Sequence, residues 1–149
     1  MDALTTSPVF QAYIASTLVL GMNLLVLANN TALTRTFASE VVNPEDVVLN
    51  KDAAVVFEDG NAKTERYRRA HRNALENIPL FLITGLILTL TSVPFTLAAV
   101  LFGIFVVARV SHSICYLFGI QPFRTASFAI GALAQVGILG ALGYYTFMG

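Results

Sequence analysis

The chain has 149 residues, of which 56% are hydrophobic and 12% are charged. This length and composition predict a single domain of an integral membrane protein. Nine Lys and Arg balance nine Asp and Glu, so the formal net charge is zero. A neutral chain has little long-range attraction for nucleic acid, and no nucleic-acid partner is expected.

Four stretches are each long enough to cross a hydrocarbon core of ~30 Å, which takes ~20 helical residues. They lie at about 9–33, 63–90, 95–118 and 122–147. Pro94 and Pro122 follow short breaks after the second and third stretches, where a proline suits the first turn of the next helix. Short links favour antiparallel neighbours. The sequence therefore predicts an all-α fold, an integral membrane up-down four-helix bundle, with a polar loop at about 34–62.

The basic residues indicate the orientation of this bundle. Seven of the nine Lys and Arg lie between Arg35 and Arg72, whereas the N-terminal segment has none. In a four-span bundle, the loop at 34–62 and the turn before Arg124 face the same side of the membrane. The positive-inside rule predicts that this side is cytoplasmic and that both termini lie opposite. The host membrane stays open between a bacterial inner membrane and the endoplasmic reticulum.

A charged stretch enters the second span. Residues 65–77 contain four arginines, one histidine and two glutamates. Ionisable groups in a span are costly unless they are paired or face a wet cavity, so this cluster marks a functional site. On a helix, four of its side chains share one stripe: Arg69, Arg72, Asn73 and Glu76. Guanidinium, amide and carboxylate groups on one stripe suit a small zwitterion with both signs of charge.

The third span carries a second set of polar residues on one helical face. They are Arg109, His112, Ser113 and Tyr116, spaced i, i+3, i+4 and i+7. Arg109 lies within the hydrocarbon region and needs a carboxylate partner or a water-filled cleft. Glu76 is the expected partner if the second and third helices pack together. The alternative is that these charges only pair with one another and fix helix packing.

Arg124 lies in the first turn of the fourth span, on the same side as the basic stripe. A helix N-terminus attracts anions through its free N–H groups and dipole, and an arginine there adds a bidentate donor. The residue is therefore a candidate anion ligand. The alternative is an interfacial arginine that serves only the topology of the chain.

No metal centre is expected. Cys115 is the only cysteine, which excludes an intrachain disulfide and a cysteine-based metal site. The two histidines, His71 and His112, lie on different predicted helices without the spacing of a zinc motif.

Three segments resemble motifs of one family, the membrane-associated proteins in eicosanoid and glutathione metabolism. They are residues 65–77 (ERYRRAHRNALEN), 43–46 (NPED) and 108–116 (ARVSHSICY). The first segment is the most specific of the three. The resemblance extends from about residue 33 to residue 128, which is most of the chain. It is nearest to the branch that contains glutathione transferases and prostaglandin E synthases.

The resemblance implies a homotrimer of four-helix subunits with glutathione, as cosubstrate, bound at the subunit interfaces near the cytoplasmic side. The implied glutathione ligands are Arg69, Arg72, Asn73, Glu76, His112, Tyr116 and Arg124, with Arg69 acting within the charge network. Arg124 matches the arginine that holds the thiolate. Thr125 is the implied hydroxyl donor beside it, with Ser127 as the alternative.

The expected function is that of a membrane-bound glutathione transferase. It would activate the thiolate for conjugation to lipophilic electrophiles, and reduction of lipid hydroperoxides is a second candidate reaction. Phe128 stands where the prostaglandin synthases have a tyrosine, and Ala74 stands where the branch usually has an aspartate. Two alternatives stay open: a glutathione-dependent isomerase of the prostaglandin type, and a lipid-binding membrane protein without catalysis.

Overall fold

The structure, a computed structural model, describes residues 5–57 and 60–149. Four helices make up most of it: α1 (Pro8–Phe37), α2 (Ala62–Leu88), α3 (Phe95–Phe118) and α4 (Phe123–Phe147). The expected all-α four-helix bundle is confirmed. The N-terminus is predicted to lie on the side of the membrane opposite the loop. This prediction concerns residues 1–4 in part, and they lie outside the described residues.

α1 ends at Phe37, beyond the predicted end near residue 33. No glycine or proline interrupts this last turn, and two threonines bond to carbonyl groups one turn back. Thr34 Oγ1 donates to Asn30 O at 2.7 Å, and Thr36 Oγ1 donates to Ala32 O at 3.1 Å. These bonds satisfy the threonine hydroxyls within the helix, beyond the end of the apolar stretch.

Three of the four helices, α1, α3 and α4, are long and apolar enough to cross a membrane. Their outward-facing side chains include large apolar groups such as Leu18, Val107 and Leu133. α2 differs because its first half carries the charged stretch and its apolar part is short. The chain is an integral membrane protein in which α2 lies against three more apolar helices.

An aromatic core joins α1, α2 and α3. The rings of Phe81 and Phe105 stack with centroids 4.6 Å apart, and Phe102 meets Phe81 edge-on at 5.4 Å. Tyr13 packs against the same rings, and its hydroxyl donates to Leu82 O at 2.9 Å. The three phenylalanine side chains are essentially inaccessible to solvent. This core fixes which face of α2 points inward.

Polar side chains cross-link the bundle outside this core. Gln135 Nε2 on α4 donates to Thr84 Oγ1 on α2 at 2.9 Å. Asn23 Nδ2 on α1 donates to Ser113 Oγ on α3 at 3.0 Å. Such bonds stabilise helix pairs in membranes, because a buried polar group without a partner is costly there.

The loop between α1 and α2 contains short regular elements. A two-residue strand β1 (Glu40–Val41) pairs in parallel with β2 (Ala54–Val55), and a 3-10 helix (Pro44–Val48) lies between them. Glu40 Oε1 accepts a hydrogen bond from Asn61 N at 2.7 Å, immediately before α2. The loop thus returns the chain to the end of α1. Its cytoplasmic location stays a prediction from charge.

Candidate functional site

The stripe of α2 (Arg69, Arg72, Asn73 and Glu76) points away from the core of the bundle. The inward face of α2 is formed by Ala70, Ala74, Ile78 and Phe81, all of them buried.

The spacing explains the outward direction. Glu76 is two residues from Ala74 and from Ile78, so at 100° per residue it lies on the opposite side of the helix. The side chains of Arg69, Arg72 and Glu76 are accordingly 50%, 76% and 61% exposed. A charged stripe therefore lies on the surface of a single membrane-embedded chain.

The ion pairs along α2 are long at two of the stripe residues, Arg69 and Arg72, so these charged groups are only weakly paired. Glu65 accepts from Arg68 Nη2 at 2.7 Å and lies 3.9 Å from Arg69 Nη1. Arg72 Nε and Glu76 Oε1 are 4.0 Å apart. Exposed pairs at such distances contribute little to stability. Asn73 Oδ1 is buried and has no hydrogen-bond partner in the described part of the chain.

The expected pairing of Glu76 with Arg109 is wrong for the single chain. Glu76 faces outward and lies nearest to Arg72, whereas Arg109 is buried at 2% exposure inside the bundle. The aromatic core sets the rotation of α2, and that rotation turns Glu76 away from α3.

Aromatic rings and a glycine surround Arg109 instead. Its Cζ lies 5.3 Å from the ring centroid of Phe105 and 5.2 Å from that of Phe128. Its guanidinium also lies directly against Gly131, where an added Cβ would come within 2.8 Å of Nε. Among the described residues, none forms a hydrogen bond with its three side-chain nitrogens. Cation–π contact is thus its main stabilising interaction within the chain.

His112 connects α3 to the first turn of α4. Its Nδ1 lies 3.0 Å from Arg124 O. Because a carbonyl oxygen can only accept, Nδ1 carries the hydrogen, and in the neutral ring Nε2 is then the acceptor. Nε2 is buried and has no partner in the described part of the chain. The ring also meets Tyr116 edge-on, with centroids 5.7 Å apart.

The Arg124 guanidinium is held between a ring and an amide. Its Cζ lies 4.9 Å from the ring centroid of Tyr116. The Gln121 amide satisfies its neighbours when its oxygen faces Arg124, at 2.6 Å from Nη2 and 3.1 Å from Nε, and its nitrogen faces Thr125 Oγ1 at 3.1 Å. This leaves Nη1 outside the Gln121 contact. No carboxylate forms an ion pair with Arg124 within residues 5–57 and 60–149, so a positive charge remains available for an anion.

Gln121 is a residue that the sequence analysis missed. Its position just before the first turn of α4, three residues from Arg124, is the signal that could have identified it.

The two hydroxyls near Arg124 differ in availability. Ser127 is buried, and its hydroxyl donates back to the carbonyl of Phe123. Thr125 is exposed, and among the described residues its hydroxyl contacts the Gln121 amide. Thr125 is therefore the hydroxyl better placed to reach a bound molecule.

The predicted site residues thus form two groups. The α2 stripe is one, and the second, which we call the Arg124 cluster, consists of His112, Tyr116, Arg124 and Thr125 with Gln121. In the part of the chain that the structure describes, no hydrogen bond or ion pair joins the two groups.

Comparison with known proteins agrees with these features. The model of the MAPEG family matches residues 13–144. Microsomal glutathione S-transferase 1 of Rattus norvegicus is 36% identical over 134 residues, covering 88% of this chain and 86% of the relative. The Homo sapiens protein of that name is 35% identical over 126 residues, covering 83% and 81%. Prostaglandin E synthase of Homo sapiens is 29% identical over 129 residues, covering 86% and 84%. The chain belongs to the MAPEG family of membrane proteins.

Proposed function

We propose that this protein is a membrane-bound glutathione transferase in which Arg124 stabilises the thiolate of glutathione. One observation carries the proposal: the Arg124 guanidinium is held by a neutral amide and an aromatic ring, without a carboxylate among the described residues. Similarity to glutathione transferases over more than four fifths of the chain supports the choice of glutathione as cosubstrate.

The reaction requires an ionised sulfur. A free thiol has a pKa of ~8.5, and the thiolate is the nucleophile. A guanidinium beside the sulfur favours the anion and lowers the pKa of the thiol, and each unit is equivalent to about 1.4 kcal/mol. The N-terminus of α4 acts in the same direction. The hydroxyl of Thr125 would donate a further hydrogen bond to the sulfur.

The peptide part of glutathione would be bound by the α2 stripe. Arg72 would bind a carboxylate, Glu76 the ammonium group and Asn73 a peptide amide, with Arg69 completing the charge network. His112 and Tyr116 would contact the end near the thiol. Holding the tripeptide in place beside the electrophile raises the rate through proximity.

We place the complete site between subunits of a homotrimer. The α2 stripe and the Arg124 cluster are not joined within one chain, and the stripe faces outward. The stripe of one subunit would meet the Arg124 cluster of the next. Each charge would then be paired or would face a wet interface, as ionisable groups in a membrane require.

The second substrate would enter from the bilayer. A cavity of about 640 Å³ between α3 and α4 has a mainly apolar lining that includes Val107, Ile130 and Ser127, which is one turn from Arg124. This lining suits lipophilic electrophiles. The thiolate would form a carbon–sulfur bond with the electrophile and displace its leaving group.

Hydroperoxide reduction is a second reaction of the same thiolate. The sulfur would attack the outer peroxide oxygen, and the alkoxide would leave and take up a proton to give the alcohol. A second glutathione would then convert the sulfenic acid to the disulfide and water.

An ultraviolet titration tests the proposal. Glutathione added to the detergent-purified protein at neutral pH should produce a saturable thiolate absorption band, and S-methylglutathione should produce none. Arg124→Ala should abolish the band, whereas Lys51→Ala, in the loop, should retain it. Glutathione binding without a band would overturn thiolate activation and favour the lipid-binding alternative. A band that persists in Arg124→Ala would overturn the role of that residue.

Isomerase activity is a candidate because a prostaglandin E synthase is similar to most of the chain. It ranks second because the identity to that relative is lower than the identity to the transferases. Assays of the same preparation with a lipophilic aryl halide and with a prostaglandin endoperoxide separate the two. Turnover of the aryl halide is the expected result. Turnover of the endoperoxide alone would replace the transferase assignment with the isomerase.

A further inference from the structure

We propose that a cavity between the start of α2 and the end of α3 binds the phosphate head group of an anionic phospholipid. The cavity has a volume of about 420 Å³. Its lining comes from both helices and combines basic and apolar groups: Ala62, Lys63, Arg66, Tyr67, Leu117 and Phe118. None of these residues belongs to the proposed glutathione site.

Two cations line the cavity, and neither has an acidic partner among residues 5–57 and 60–149. Lys63 and Arg66 form no ion pair with the carboxylates of the described residues, whereas the neighbouring Arg68 and Arg69 share Glu65. They are three positions apart on α2, so both can approach one ligand. Two cations that can approach one ligand suit the negative charge of a phosphate group.

The position of Arg66 is defined by the end of α3. Gly119 caps α3 in the left-handed conformation, with φ of 69°. A Cβ at this glycine would lie 2.6 Å from Arg66 Nη1, so the guanidinium occupies the space that a side chain would fill. Glycine at this position thus allows the left-handed cap of α3 and also leaves room for the Arg66 guanidinium.

Apolar groups distinguish a lipid from a free anion. Tyr67, Leu117 and Phe118 line the cavity beside the two cations, and the last two belong to the final turn of the apolar helix α3. Phe118 is 75% exposed. A phospholipid would place its phosphate on the cations and the upper part of its chains on these apolar groups, whereas inorganic phosphate would leave them unused.

The location agrees with the distribution of anionic lipids. The cavity lies where α3 ends and α2 begins, on the side that the positions of Lys and Arg predict to be cytoplasmic. Anionic lipids are enriched in that leaflet, and basic pockets between membrane helices on that side bind their head groups.

Lipid titration with native mass spectrometry tests the proposal. The purified protein would be titrated separately with dioleoyl phosphatidylglycerol and dioleoyl phosphatidylcholine. We expect phosphatidylglycerol to bind more tightly than phosphatidylcholine. Its affinity should fall about fivefold in each of the single variants Lys63→Gln and Arg66→Gln. Lys51→Gln removes a loop cation outside the cavity and should bind as the wild type does. The exchange variant Lys63→Arg/Arg66→Lys should retain the preference.

Three results would overturn it. Equal binding of the two lipids by the wild type would exclude head-group selection. Equal affinities in Lys63→Gln and Lys51→Gln would place any preference elsewhere. Inorganic phosphate that binds alone as tightly as phosphatidylglycerol, with the same dependence on Lys63, would identify a free-anion site. Circular dichroism melting of each variant shows whether it is folded. If Lys63→Arg/Arg66→Lys does not fold, the single variants Lys63→Gln and Arg66→Gln decide the outcome.

Discussion

Gln121 holds the Arg124 guanidinium with a neutral acceptor. The amide oxygen receives hydrogen bonds from Nη2 and Nε, as a carboxylate would, but it does not neutralise the charge. The guanidinium therefore keeps a fixed position and its full positive charge, which is available to an anion. An acidic residue at position 121 would give the same geometry and the opposite electrostatic effect.

Gln121→Glu should therefore raise the pKa of the bound glutathione thiol, because the new carboxylate offsets the charge of Arg124. The expected shift is about one unit upward, which moves the thiolate band to higher pH. The measurement is the pH titration of that band. Gln121→Leu, which loses the hydrogen bonds without adding charge, should shift it less. Coincident titrations for the wild type and Gln121→Glu would show that residue 121 does not act on the thiol.

Two substitutions of His112 separate the roles of its two ring nitrogens. Asn places an N–H near the position of Nδ1 and can still donate to Arg124 O, whereas Gln places its amide near the position of Nε2. If the bond from Nδ1 to Arg124 O matters more than a contact of Nε2 with glutathione, the two variants should differ. His112→Asn should keep most of the thiolate band, and His112→Gln should lower kcat/KM by up to about tenfold. The reverse order would assign the effect of His112 to direct contact with glutathione through Nε2.

At the scale of helices, α3 and α4 pack through the contact between Arg109 and Gly131. The side chain of Arg109 fills the space beside the glycine, with Nε, Nη2 and Cζ all within 3.0 Å of where a Cβ would lie. This contact explains how α4 can approach a buried arginine so closely. It also identifies the position at which the smallest added group should be felt.

Gly131→Ala should lower stability by about 1–3 kcal/mol, because the new methyl group displaces a buried guanidinium. Thermal unfolding followed by circular dichroism measures the loss. Gly140→Ala is the matched control on the same helix, since nothing lies within 4 Å of its added Cβ. That variant should be neutral or slightly stabilising, because alanine favours a helix more than glycine does. Equal melting temperatures for the two variants would contradict the close packing at Gly131.

α3 was predictable because its apolar run lies between Pro94 and Gly119. The strands β1 and β2 were not, because two residues are too short for a periodic signal. The pairing of Glu76 with Arg109 failed for a different reason. Its prediction considered which charges could attract each other, but not the rotation of α2 that the buried positions Ala74, Ile78 and Phe81 impose.

At the scale of the whole molecule, the outward stripe of α2 calls for a covering surface. Charged side chains that face hydrocarbon are costly, and three of the four stripe residues are half-exposed or more in the single chain. A neighbouring subunit would supply both the cover and the Arg124 cluster that the stripe lacks.

Mixed assemblies test this arrangement. Arg124→Ala and Glu76→Ala subunits, carrying different affinity tags, should each be inactive alone. In the proposed trimer, an assembly that contains both variants has an interface where the intact stripe of one subunit meets the intact Arg124 cluster of the other, so activity should return in doubly purified assemblies. Mixing separately assembled proteins is the control and should restore nothing. Inactive mixed assemblies of normal size would indicate a site within one chain.

Sequence alone identified most of the candidate residues but not how they come together. Both groups stand out because polar residues are rare in apolar spans. Gln121 escaped notice because a glutamine at a helix start has no such contrast. In the proposed trimer the stripe meets the Arg124 cluster of the next subunit, an arrangement that neither periodicity nor composition encodes.

The loop before α2 has a consequence for depth in the bilayer. α2 alone would shift toward water, because its charged half favours solvent and its apolar half is short. The β1–β2 pair and the bond from Asn61 N to Glu40 tie its first turn to the end of α1. α1 is ~45 Å long, and the match between its apolar length and the thickness of the bilayer should set its depth in the membrane. Because the two helices are tied together, the depth of α2 should depend on the same match. The distance of the α2 stripe from the membrane surface should therefore follow α1 when the bilayer becomes thicker or thinner.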